Sequence, residues 1–145
     1  MTIPSGWRKA TSRPRSLSHL LQEHITTVVK HNGGQVFAWH VVNEALDENG
    51  HWRDSIWYNQ PGVGLGEKGS AYIEQAFRWA HQPTLTLCFS TMRMEARGLN
   101  KRSDAIYAMV KDFRQRGVPI DGVGLQMHIS QLDLDTAATL RTSRA

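Results

Sequence analysis

Apolar residues at Leu17, Leu20, Leu21, Ile25, Val28 and Val29 recur at spacings of three and four, which predicts one amphipathic helix. Ser16 reads as its N-cap and Gly33-Gly34 as its left-handed stop. Next comes a nearly unbroken apolar run, Val36-Phe37-Ala38-Trp39-His40-Val41-Val42, interrupted only by His40. Such a run predicts a strand buried on both faces, as in a parallel sheet covered by helices. Residues 47–70 read as loop, with turn chemistry in Asp47-Glu48-Asn49-Gly50. A second helix, about Ser70 to His81, places Tyr72, Ile73, Ala76, Phe77 and Ala80 on one side, and Leu85 to Phe89 reads as a short strand. A third helix is predicted from Ser103 as N-cap, with Ile106, Met109, Val110 and Phe113 inward, ending at Gly117 before Pro119. Gly122 to His128 reads as another buried strand, and beyond Ile129 the pattern dissolves. Helix and strand alternate, which argues for an α/β fold built on a parallel sheet.

Composition narrows the picture only a little. The chain has 145 residues, 40% hydrophobic and 21% charged, the profile of an ordinary globular domain. Seventeen basic against thirteen acidic side chains leave a net charge of +4. Arg8, Lys9, Arg13 and Arg15 form one basic cluster, and Arg93, Arg97, Lys101 and Arg102 another. Neither interleaves aromatics for base stacking, so both read as solvated surface and no nucleic-acid partner is expected. No apolar run approaches the roughly 18 residues of a membrane span, so no membrane partner is expected either. Residues 1–15 lack the apolar core of a secretory signal, which leaves localisation open. The single Cys88 excludes an internal disulfide framework and a cysteine-based zinc cluster. Pro61-Gly62-Val63-Gly64-Leu65-Gly66 matches neither phosphate-binding glycine pattern.

In α/β sheets, functional groups collect at the carboxyl ends of strands. Two apolar runs end in such groups: Asn43-Glu44 after Val41-Val42, and Gln126 with His128. A carboxylate beside apolar walls has its neutral form favoured and can serve as a proton donor. Asn and Gln supply uncharged donors and acceptors suited to sugar hydroxyls. On pattern alone, Glu44 also reads as the start of a solvated loop and His128 as a satisfied core histidine.

Trp39-His40-Val41-Val42-Asn43-Glu44-Ala45-Leu46 resembles the Trp-Asp-Val-Val-Asn-Glu-Ala signature of family-ten glycoside hydrolases, the endo-β-1,4-xylanases. The likeness extends through His24-Ile25, Val28-Val29 and Gly34-Gln35-Val36, and through Arg53-Asp54-Ser55-Ile56-Trp57-Tyr58 and Tyr72-Ile73-Glu74-Gln75-Ala76-Phe77. It resumes at Asn100, and takes in Met109-Val110-Lys111-Asp112-Phe113 and the run from Arg116 through Gly122-Val123-Gly124-Leu125-Gln126-Met127-His128. The resemblance implies part of a TIM (β/α)₈ barrel, roughly strands four to six with their helices. Residues 17–129 would form this partial barrel, residues 1–16 an irregular basic segment and residues 130–145 a divergent tail. It further implies internal hydrolysis of xylan with retention of configuration, and no metal or other cofactor. Glu44 matches the family's general acid/base, and Asn43 the residue that contacts the sugar next to the scissile bond. Gln126 and His128 match residues around the catalytic nucleophile, and Trp39 reads as barrel packing. Xylan or a xylo-oligosaccharide is the implied partner, and an arc of barrel is expected to self-associate through its strand edges.

Three departures qualify what the resemblance implies. Retention needs two carboxylates about 5–5.5 Å apart. The family's nucleophile is a Glu in a Thr-Glu-Leu-Asp-like motif on a later strand, which this sequence is expected not to reach; Gln131-Leu132-Asp133-Leu134-Asp135 echoes the motif only superficially, with Gln where Glu should stand and no helix before it. Impaired hydrolysis is therefore expected, and a non-catalytic xylan-binding remnant or truncated pseudo-enzyme is the alternative. His40 stands where the family has an Asp that would hydrogen-bond the histidine matched by His128. Residues 82–97 depart most, reading Leu87-Cys88-Phe89-Ser90-Thr91-Met92-Arg93-Met94 where the family has a strand ending in Tyr-Asn. Compensating reading-frame slips would produce such a stretch, and the other frames of the coding DNA would then carry the Tyr-Asn motif.

Overall fold

The computed structural model describes residues 14–59, 70–83, 87–95 and 100–128. Seven elements follow in order: α1 (Pro14–His31), β1 (Ala38–Asn43), α2 (Ile56–Asn59), α3 (Ala71–His81), β2 (Leu87–Glu95), α4 (Lys101–Gln115) and β3 (Gly122–His128). The alternation expected from the sequence is present, with the one-turn α2 added inside the segment read as loop. The basic run at 1–13, the glycine-rich loop at 61–66 and the tail from 129 onward lie outside the described residues.

The chain divides into two compact units: residues 1–39 with 54–87, and residues 40–53 with 88–145. In the first, α1 packs against α3. Leu17 and Val29 of α1 are buried, as are Ile73, Ala76, Phe77, Trp79 and Ala80 of α3. Trp79 was not among the residues expected inward, whereas Tyr72 is only half-buried. Burial still pushes the Tyr72 phenol above its ordinary range, against a lowering hydrogen bond with the Ser55 side chain.

The second unit holds most of the sheet. Its strand order is β1-β2-β3. Strands β2 and β3 run parallel, with Phe89 opposite Gly122 and Glu95 opposite His128. Leu46 and Ile106 form a buried cluster, covered by Trp52, Ala105, Val110, Val123 and Leu125. Met109 and Phe113 of α4 are buried as expected.

Several boundaries differ from the pattern reading, each for a local reason. α1 begins at Pro14 rather than after Ser16, because proline's fixed φ and missing N–H suit the first helical turn. The last three residues of the segment assigned as irregular, 1–16, are therefore helical. α4 begins at Lys101, with Asn100 rather than Ser103 as its N-cap. Ser103 N–H donates to Asn100 Oδ1 at 3.0 Å, while Asn100 N–H donates to Ser103 Oγ at 2.8 Å. Ser103 is thus the returning arm of a capping box, three residues inside the helix. β2 starts two residues later than Leu85 and continues to Glu95, well past Phe89. β1 is not buried on both faces: Val42 is buried, but His40 and Asn43 are exposed. Phe37, expected inside the strand, precedes it and is 82% exposed. Gly117 ends α4 as expected, at φ +66°.

Candidate functional site

The candidate residues lie at or near the carboxyl ends of β1 and β3. Asn43 is the last residue of β1, and Glu44 follows it directly. Gln126 lies within β3, and His128 is that strand's last residue, paired in register with Glu95. Gln126 Nε2 donates to Asn43 Oδ1 at 2.7 Å, joining positions 83 residues apart. Neighbouring strands lie about 4.8 Å apart, and β2 stands between β1 and β3, so this bond reaches over the middle strand. Both carboxamides must then share one face of the sheet. With Oδ1 occupied, the Asn43 amide plane is fixed, and its Nδ2 carries two donors suited to a hydroxyl-bearing ligand.

Glu44 has φ +50°, the left-handed region, and is the non-glycine residue with positive φ among the described residues. A side chain with a Cβ adopts it at a cost of about 1–3 kcal/mol, and only where the surroundings over-determine it. The conformation turns the chain sharply off the strand, leaving the half-buried Glu44 at the sheet's end. His40 lies on β1, exposed to solvent rather than buried.

The residues after Glu44 form a compact hairpin. Leu46 and Trp52 make an antiparallel bridge. Asp47 closes the turn: its Oδ1 accepts from Asn49 N–H at 2.8 Å and from His51 N–H at 2.9 Å. The His51 backbone bond, more than the Asn49 bond, holds the Asp47 carboxyl below its ordinary range. What this depression contributes to the turn is therefore present at neutral pH and lost as pH falls through the lowered value.

Arg102 overturns one surface assignment. Counted with Lys101 in a solvated basic cluster, it is 5% exposed, the buried charged residue among the described residues, while Lys101 is exposed. Its Nε donates to the Asp47 carbonyl at 2.8 Å. No sequence signal marks this role, because a bond to a backbone carbonyl 55 residues away leaves no spacing pattern. Arg53, also unremarked, donates through Nε to the Leu46 carbonyl at 3.2 Å. Among the described residues, no group of three or more metal-ligating side chains converges.

Alternating helices and strands, a parallel pair in the sheet and polar groups at the strand ends define an α/β protein. The chain belongs to glycosyl hydrolase family 10, whose family model matches residues 2–143. It is 42% identical to endo-1,4-beta-xylanase B of Thermotoga neapolitana over 115 residues, 78% of this chain and 31% of that protein. Among solved structures, native xylanase 10B from Thermotoga maritima superposes with a TM-score of 0.78 at 36% identity, covering 88% of this chain and 37% of that one. Xylanase 10B from Thermotoga petrophila RKU-1, in complex with xylobiose, gives 0.74 at 36% identity over 83% of this chain and 35% of that one. Family members have a TIM-barrel fold, and this chain covers only about a third of the length of these relatives.

Proposed function

We propose that this chain carries the acid/base side of a retaining endo-β-1,4-xylanase site, on roughly strands four to six of the barrel. Residues 17–129 then form the partial barrel and residues 130–145 a divergent tail. Glu44 is the general acid/base, Asn43 contacts the sugar beside the scissile bond, and Gln126 and His128 flank the nucleophile's position. The substrate is xylan or a xylo-oligosaccharide, in keeping with the xylobiose bound by the Thermotoga petrophila relative.

The observation that carries this reading is the 2.7 Å bond from Gln126 to Asn43. It brings two motifs, separate in sequence, to one face of the sheet, beside a glutamate set in a costly backbone conformation. In retaining hydrolysis one carboxylic acid protonates the departing glycosidic oxygen while a second carboxylate attacks the anomeric carbon. The first group, now a carboxylate, then takes a proton from the water that releases the sugar. Glu44 supplies the first role. No residue of this chain matches the second, so hydrolysis by this chain is impaired, and binding without turnover is the alternative that this favours.

Reducing-sugar release from xylan by the purified chain, beside Glu44→Ala, tests the assignment. Weak release that falls to background in Glu44→Ala is expected; release of equal size in both overturns the role of Glu44. Xylotriose binding with no release, unchanged by Glu44→Gln, would establish the binding remnant instead.

A further inference from the structure

The peptide segment that follows Glu44 is tied down carbonyl by carbonyl. Ala45 O accepts from Arg53 N–H at 2.9 Å. Leu46 O accepts from Arg53 Nε at 3.2 Å. Asp47 O accepts from Arg102 Nε at 2.8 Å and from Gly50 N–H at 3.2 Å. The contact that reaches out of the hairpin is the one from Arg102, in the first turn of α4. A buried guanidinium is costly unless its donors are engaged. Here it is engaged on the loop's backbone, while its contact with the exposed Glu48 carboxylate is a looser 3.9 Å.

Two further contacts dock the same hairpin on the same helix. Leu46 packs on Ile106, one turn beyond Arg102. Gly50, at φ +80°, lies so close that an added Cβ would stand 2.8 Å from the Lys101 carbonyl oxygen. The loop is therefore clamped to α4 from both of its arms. A left-handed glutamate persists only where its neighbours leave no alternative, and this clamp fixes the residues just beyond it.

We propose that Arg102 is a positioning residue for Glu44. From α4 it holds the 45–53 hairpin through the Asp47 carbonyl, and so keeps Glu44 in its left-handed conformation at the end of β1. This inference rests on the reading of Glu44 as the acid/base. Such a group must stay within hydrogen-bond reach of the glycosidic oxygen, a tolerance that a misplaced loop exceeds.

The test is an NMR measurement on the full chain. A positive φ brings a residue's amide and α protons close together, giving a strong intraresidue NOE. Glu44 should show one in the wild-type chain. In Arg102→Met it should fall to about half or less as the left-handed population drains. Arg102→Lys, which can still donate to the Asp47 carbonyl, should restore part of it. Arg114→Met, on the same helix but bonded to the Ile120 carbonyl at 3.3 Å, should leave it intact. Gly50→Ala strikes the clamp from its other arm with Arg102 in place, and should reproduce the loss even where Arg102→Met fails to fold. A Glu44 NOE unchanged in Arg102→Met, or in Gly50→Ala where the first variant does not fold, overturns the proposal. If xylan release survives Glu44→Gln while Arg102→Met still removes the NOE, the catalytic reading falls and the clamp stands.

Discussion

At the scale of single residues, the sequence pattern exposed the groups that end apolar runs and concealed those that hold them. Asn43, Glu44 and Gln126 were visible because a polar residue closing a buried run needs an explanation. Arg102 was concealed by its charge: next to Lys101 and close in sequence to Arg97 it looked like solvated surface, yet it is 5% exposed. The departure at His40 leads to a prediction at this scale. His40, exposed on β1, stands where the resemblance implies a carboxylate, so an acceptor-only anion is replaced by an imidazole. In a full-length barrel context, His40→Asp is expected to raise kcat/KM on xylan by up to about 100-fold, since a reacting group misplaced by about 1 Å can cost that much. No gain would mean that the imidazole does the same work.

At the scale of elements, the hydrophobic pattern located the three long helices and all three described strands, and missed where most of them begin. α4 starts three residues early because Asn100 and Ser103 cap each other, and a serine in a capping box resembles an N-cap when its partner is overlooked. β2 was shortened because Ser90, Thr91, Arg93 and Glu95 break the apolar run, whereas its ladder with β3 continues regardless. Packing, by contrast, was readable wherever a helix has a single apolar stripe. Phe77 lies on α3, which packs against α1, and is fully buried. Truncating it to alanine should destabilise the chain by about 3–5 kcal/mol, measured by denaturant unfolding. A loss below about 1 kcal/mol would show that the α1–α3 contact contributes little to stability.

At the scale of the molecule, the described residues form a sheet of three strands with β1 and β3 on the outside. This chain covers about a third of the length of its Thermotoga relatives, which share the barrel fold, in which closure leaves no strand edge unpaired. Among the described residues no strand lies beyond β1 or β3, and an outermost strand can lend its backbone donors and acceptors to another chain. The purified protein is therefore expected to show an apparent mass above 16.4 kDa that rises with concentration in light scattering after gel filtration. A constant monomer mass across that range would sink this expectation.

The bond between Asn43 and Gln126 also has a consequence for how the molecule is made. A chain leaving the ribosome exposes Asn43 and Glu44 long before Gln126 exists, since 83 residues separate the bonded pair. The Arg102 contact with Asp47 closes a shorter gap of 55 residues. Long-range closures carry the larger entropic cost and form late. During synthesis, the acidic end of β1 is thus first clamped by its helix and only afterwards roofed from β3, so the site is completed among the last features of the described fold.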